Sequence, residues 1–242
     1  KGLEPMVTEK TGLIINPYFS ASGVKWMLDN VAGAREDAEN GHLLLGTTDS
    51  WLIWNLTGGK VHATDHTNAS RTLFFNIHTL NWDQELLDLF NVPAIMLPSI
   101  LPSDGIYGST TFNGLIPEVP IAGVLGDSHG ALAGQMCFVP GMGKATYGTG
   151  SSIMINIGDK PLSAPKGLVT SIAFSAGDKV YYAFEGNIHC TGATIKWLQD
   201  DLQLIQSAAE TEELATSVNS TDGVYLVPAF AGLGAPWWDN DA

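Results

Sequence analysis

The sequence predicts an α/β layered fold, and three observations carry that expectation. A short apolar run at residues 121–125 turns through Gly126, Asp127 and Ser128 into a helical stretch. Beyond Pro140 the pattern becomes β-rich, with hairpin turns at Gly148-Thr149-Gly150 and Ala176-Gly177-Asp178. Before residue 120, apolar residues recur mainly at helical spacing. Strands followed by helices, with hairpins in the sheet, indicate helices layered on a mixed sheet.

The elements follow in order. Val24, Met27, Leu28 and Val31 recur at helical spacing, and Gly33 ends that segment. A second helix covers residues 48–56, with Trp51, Leu52, Trp54 and Leu56 as its apolar side and Gly58-Gly59 as its stop. A third starts at Asp83, a good capping residue, runs through Leu86, Leu87 and Phe90, and ends before Pro93. Residues 121–125 read as a short buried strand, with a helix at 131–136. Residues 144–147 and 152–157 form one hairpin, and 168–174 and 179–184 another. Helices are expected at 191–204 and 208–218, and a strand at 224–227. A composition shift at Phe138-Val139-Pro140-Gly141 divides the chain into domains 1–138 and 139–242.

Hydrophobic residues make up 45% of the 242 and charged residues 15%, the balance of a globular protein. Lys and Arg number 11 against 25 Asp and Glu, a net charge of −14. A surface that acidic repels nucleic acid and anionic membranes, and no basic run offsets it. No apolar stretch is long enough to span a bilayer. Cys137 and Cys190 form no CxxC pair and read as reduced thiols of a cytoplasmic protein. Six scattered histidines suggest no metal site built from side chains alone. The ends read as cut, so the chain is expected to be a piece of a longer one.

Three segments could carry chemistry. Asp127 follows an apolar strand at the place where α/β folds bind ligands, and could take a proton from an alcohol; an ordinary helix cap uses the same residue. Gly148 and Gly150 let backbone amides approach an anion, and Thr149 adds a hydroxyl, though a plain hairpin turn has the same composition. Gly192 and Ala193 open a helix whose positive end favours phosphate, or else permit close packing. Arg71, one of few arginines, reads as a tie between loops. The paired tryptophans, Trp51 with Trp54 and Trp237 with Trp238, read as core or seam anchors.

Taken together, the segments 17–20 (PYFS), 24–29 (VKWMLD), 46–54 (GTTDSWLIW), 65–83 (DHTNASRTLFFNIHTLNWD), Gly126-Asp127, 144–150 (KATYGTG), 191–198 (TGATIKWL) and 227–239 (VPAFAGLGAPWWD) resemble the FGGY carbohydrate kinase family, its glycerol kinase branch above all. They stand in the family's order and spacing across nearly the whole chain. The resemblance implies actin-like, ribonuclease-H-like lobes. It implies ATP and Mg²⁺ as cofactors, a small polyol or sugar as acceptor, and a homo-oligomeric full-length protein. It makes Asp127 the catalytic base, Tyr18 and Ser128 substrate contacts, and Gly148, Thr149, Gly150, Gly192 and Lys196 the nucleotide side. It also implies that the first phosphate loop lies before Lys1 and the adenine site after Ala242, so this chain alone carries no phosphoryl transfer.

Three departures bear on the substrate. Ser128 and His129 stand where the glycerol kinases carry two glutamines, Ser152 where they carry a phenylalanine, and Lys196 where they carry a glutamine. Phenylalanine to serine removes apolar contact worth about 1.5–3 kcal/mol when fully buried and leaves room for a larger, more polar substrate. The loop 111–118 lacks the family's phosphorylated histidine and its sugar-bisphosphate stretch. Other readings are a kinase for a pentulose or tetritol, or a non-catalytic actin-like nucleotide-binding protein.

Overall fold

The computed structural model of the protein describes residues 2–242. Helix α1 (Glu4–Thr11) ends on Gly12, whose left-handed φ of 72° and close approach to the Thr170 carbonyl leave no room for a Cβ. Helix α2 (Ser20–Asn30) buries Ala21, Val24 and Leu28, spaced three and four apart, while Met27 and Val31 face outward. After α3 (Ala34–Glu39) comes α4 (Thr48–Leu56), with the bounds the sequence predicts but a different inner face. Asp49, Ser50 and Ile53 point inward, while Trp51 is 66% exposed. The helix is apolar on several sides, and the polar tie decides which side turns in: Thr64 donates to the Asp49 carboxylate at 2.7 Å.

Thr64 lies on β1 (Ala63–Asp65), which leads into the one-turn helix α5 (His66–Ala69). Asp65 caps it, accepting from the Thr67 and Asn68 amides at 3.0 and 2.9 Å. A short hairpin, β2 (Phe75–Asn76) with β3 (Asn81–Trp82), leads to α6 (Gln84–Phe90), which ends at left-handed Asn91. Asp83 caps α6 through the Glu85 and Leu86 amides and pairs with Lys10 at 2.8 Å. Burial opposes ionisation of Asp83, but Lys10, Asn76 and the Leu86 amide outweigh it, so its pKa lies below the ordinary 3.8. A depressed folded-state pKa stabilises the fold above the unfolded value and loses that contribution as pH falls through the folded one. Asp83→Asn, which keeps a capping oxygen, therefore removes part of the acid dependence: wild-type and variant urea midpoints differ most near neutral pH and converge as pH falls through the depressed pKa of Asp83.

Strand β4 (Ser99–Leu101) pairs in parallel with β1, and β5 (Ser109–Thr110) pairs antiparallel with β6 (Val119–Pro120). The buried strand expected at 121–125 does not form. That stretch bonds only to loop residues, Ile121 with Tyr107 and Gly108 and Val124 with Ser103, and Leu125 is exposed. Isolated bonds to one neighbour do not make a ladder. Helix α7 (Asp127–Gly134) begins four residues earlier than the sequence suggests, with Gly126 at the cap and Asp127 already in the first turn.

The main sheet comprises β7 (Gly143–Tyr147), β8 (Ser151–Gly158), β9 (Val169–Ala176) and β10 (Lys179–Ile188), antiparallel in the order β7-β8-β10-β9. Its β9 edge packs onto the first half of the chain. Val169 shares a core with Val7, Leu13 and Phe74, while Ile172 and Tyr182 join Phe75 and Ile77. Burying a Phe or Ile side chain contributes about 1.5–3 kcal/mol, so this seam is a substantial part of the core. Helices α8 (Gly192–Asp200) and α9 (Glu210–Thr216) follow, α8 stopping four residues short of its expected end. The strand expected at 224–227 is also absent; Val224, Tyr225 and Val227 are exposed and have no partner strand among the described residues. Of the terminal tryptophan pair, Trp238 anchors the seam by donating to the Gly167 carbonyl at 2.9 Å, while Trp237 is 72% exposed.

Candidate active site

One cleft of about 670 Å³ gathers residues far apart in sequence. Tyr18, Asp127, Ser128, Gly148, Gly150 and Ser152 all line it. Tyr18 comes from the α1–α2 connection, Asp127 and Ser128 from the first turn of α7, and the glycines from the β7–β8 turn. Asn187, His189 and Asn240 line the same cleft.

Asp127 is exposed to the cleft, and its Oδ1 accepts the Ser128 amide at 2.7 Å. Its other oxygen has no hydrogen-bond partner among the described residues. Behind it, His129 is buried, and neither ring nitrogen finds a partner. Burial pushes its pKa down to about 4, against a smaller pull from Glu185, so the ring is neutral at neutral pH.

Two cleft residues, Tyr18 and Asn187, rest on a buried ion pair. Arg71 donates to Glu185, which is 3% exposed and also accepts from Asn187 at 2.7 Å. The guanidinium sits 5.0 Å from the Phe19 ring centroid and 5.9 Å from that of Tyr18, within cation–π range. Tyr18 in turn stacks on His189 at 6.0 Å between centroids. Arg71 does tie segments together, as the sequence suggests, but the partner is a buried carboxylate 114 residues away.

The nucleotide-side residues divide. At the turn, the Gly148 amide bonds to the Gly150 carbonyl at 2.8 Å, and a Cβ on Gly150 would stand 2.5 Å from the Ile188 carbonyl. The Thr149 and Gly150 amides donate to no protein acceptor among the described residues, and the Thr149 hydroxyl is likewise unengaged. Those donors suit an anion. Gly192 is different. Its amide donates to the Gly148 carbonyl at 2.9 Å, and the Thr191 and Ala193 amides donate to the Thr149 carbonyl at 2.9 and 3.0 Å. The start of α8 is thus engaged by the turn, and a Cβ on Gly192 would meet the Gly148 oxygen at 2.5 Å. Gly192 serves close packing. Lys196 lies outside the cleft, its side chain 79% exposed and 3.9 Å from Asp200. Among the described residues, no group of three or more His, Cys, Asp or Glu could hold a metal ion, and no helix is long and apolar enough to cross a membrane.

Solved structures define the class. The chain matches the crystal structure of Plasmodium falciparum glycerol kinase with ADP at TM-score 0.86 and 37% identity, over 99% of this chain and 48% of that one. It matches the ligand-bound xylulose kinase of Lactobacillus acidophilus at TM-score 0.83 and 22% identity, over 100% and 48%, a likeness of fold alone. The architecture is that of the actin-like ATPases. Models of the N-terminal and C-terminal domains of the FGGY family of carbohydrate kinases match residues 1–134 and 143–242. The chain belongs to the FGGY family of carbohydrate kinases. Among curated relatives, it is 57% identical over 242 residues to the glycerol kinase of Shewanella frigidimarina and 56% identical over 239 residues to glycerol kinase 2 of Thermotoga maritima. Those matches cover 100% and 99% of this chain and 48% of each relative, so the chain spans about half the length of the curated relatives it matches.

Proposed function

We propose that this chain is the central part of an ATP-dependent kinase that phosphorylates a hydroxyl of glycerol or a related small polyol or sugar, with Asp127 as general base. One observation carries the reading: Asp127 and the glycine turn line a single cleft with Tyr18, which stands more than a hundred residues earlier in the chain. The domains divide near Phe138, with Tyr18, Asp127 and Ser128 before it and the nucleotide contacts after it. The relatives' names and the ADP in the P. falciparum structure support ATP as donor and a polyol as acceptor.

The free oxygen of Asp127 takes the proton of the acceptor hydroxyl as the hydroxyl oxygen bonds to the γ-phosphorus of ATP and the bond from that phosphorus to ADP breaks, while the Ser128 amide holds the other Asp127 oxygen. Tyr18 braces the acceptor against the Arg71-supported wall. The Thr149 and Gly150 donors, with the Thr149 hydroxyl, fit phosphate oxygens; Gly192 and Lys196 contribute no direct contact in this reading. ATP would supply the phosphoryl group, and a Mg²⁺ ion bound with it would offset charge on its phosphates. Catalysis then rests on positioning and electrostatics.

A coupled assay of the full-length protein over a panel of polyols and ketoses tests this. Acceptor-stimulated ADP release is expected for at least one small polyol or sugar, with none from the 242-residue chain alone. The absence of acceptor stimulation across the panel would favour a non-catalytic nucleotide-binding protein, and turnover by the chain alone would show that it needs no further segment.

A further inference from the structure

We infer that Thr146, Ser152 and Asn187 form a specificity-determining row that selects a polyhydroxylated acceptor longer than glycerol, held from beneath by the buried charges of Lys144 and Glu185. The inference rests on the acceptor-site reading above and extends it to the substrate class.

Strand register builds the row. Thr146 on β7 stands opposite Ser152 on β8, which stands opposite Asn187 on β10. Residues directly opposed on antiparallel strands project from the same face, so the three side chains lie side by side across the sheet. All three line the cleft that holds Asp127. One step down the strands lies a second row, Lys144, Met154 and Glu185, in the same register and on the same face.

The lower row orders the upper. Lys144 is 6% exposed and has no carboxylate within ion-pairing distance among the described residues. Its ammonium donates to Thr146 Oγ1 and Ser152 Oγ at 3.0 Å each, and to the Ser152 carbonyl at 3.3 Å. An ammonium has three donors and no acceptor, so neither hydroxyl proton can point back at it. Both are turned toward other acceptors, and the cleft supplies the space. At the far end, Glu185 accepts one side-chain amide proton of Asn187 and leaves the Asn187 Oδ1 to accept. The row therefore offers two oriented donors and one acceptor, a pattern that successive carbinol groups satisfy and a hydrocarbon surface does not.

Ser152 stands where the resemblance expects a phenylalanine, so the space that an aromatic ring would fill is open and its back wall is polar. A three-carbon acceptor at Asp127 leaves the row to water. An acceptor of about four or five carbons, such as a tetritol or a pentulose, replaces that water with direct bonds, and sites built to bond hydroxyls reject analogues that lack them.

The test uses the full-length protein, with initial rates at saturating ATP for glycerol, a tetritol and a pentulose. Wild type is expected to give a kcat/KM for one of the longer acceptors at least about tenfold above that for glycerol. Ser152→Phe is expected to reverse that ratio, leaving the KM for ATP within about twofold. Lys144→Met is expected to raise the KM for the longer acceptor far more than that for glycerol. Because removing a buried ammonium could disturb folding, Ser152→Ala, which leaves Lys144 in place, is read beside it and should show the same selective rise. A wild type that prefers glycerol, or a Ser152→Phe variant whose ratio does not move, overturns the row while leaving the kinase reading intact. No turnover with any acceptor overturns both.

Discussion

In the full-length protein, Asp127→Asn lowers kcat by about 10²–10⁴-fold, with little change in the KM for the acceptor. The substitution is a clean one here. Asp127 sits in the first turn of α7, and one of its oxygens accepts the Ser128 amide at 2.7 Å. Asparagine keeps that oxygen, so the helix start and the shape of the cleft persist. It replaces only the unengaged oxygen that would receive the proton. A loss in kcat therefore reads as loss of proton acceptance rather than of structure. Single-turnover measurement separates this chemical step from product release. Activity within about tenfold of wild type would move the base to another residue.

Arg71→Met produces the largest expected loss of stability, about 3–5 kcal/mol, because it strands a carboxylate that is 3% exposed. Glu185 would keep only Asn187 as a partner. The cost is that of an unpaired buried charge, so the double variant Arg71→Met, Glu185→Gln should recover a good part of it. Urea midpoints of the two single variants and the double one form the appropriate cycle. Catalysis should suffer in parallel, since the guanidinium underlies the rings of Phe19 and Tyr18. The KM for the acceptor should rise more than kcat falls. A midpoint shift equivalent to less than about 1 kcal/mol would mean that the pair behaves as a solvated surface bridge.

Local chemistry made some elements legible in the sequence and long-range register hid others. The bounds of α4 and the cap of α6 were readable because Gly58, Gly59 and Asp83 act within one turn of where they stand. Both hairpins were readable from their turns. The inner face of α4 was not, because Trp51, Leu52, Ile53 and Trp54 are all apolar and a hydrogen bond from β1 chose among them. Residues 121–125 and 224–227 have the composition of strands, but composition does not supply a neighbour to pair with. At the site, Asp127 and the glycine turn carried their own signal, while Tyr18 and Ser128 were reached only through the family resemblance. Asn187, Lys144 and Glu185 carried no such signal. Their meaning depends on which strand lies beside which, and β10 sits between β8 and β9. At Gly192 the ambiguity lay in the helix start, which reads as an anion site until the partners of its amides are known.

The bonds from Thr191, Gly192 and Ala193 to the β7–β8 turn have a thermodynamic consequence. A free glycine-rich loop samples many shapes, and a ligand that selects one must bear the entropy lost. Here three amides at the start of α8 clamp the carbonyls of Gly148 and Thr149, while the Thr149 and Gly150 amides keep no protein partner among the described residues. The loop's disorder is thus surrendered when the chain folds rather than when a ligand arrives, and binding energy that would have gone into ordering the loop is left for affinity.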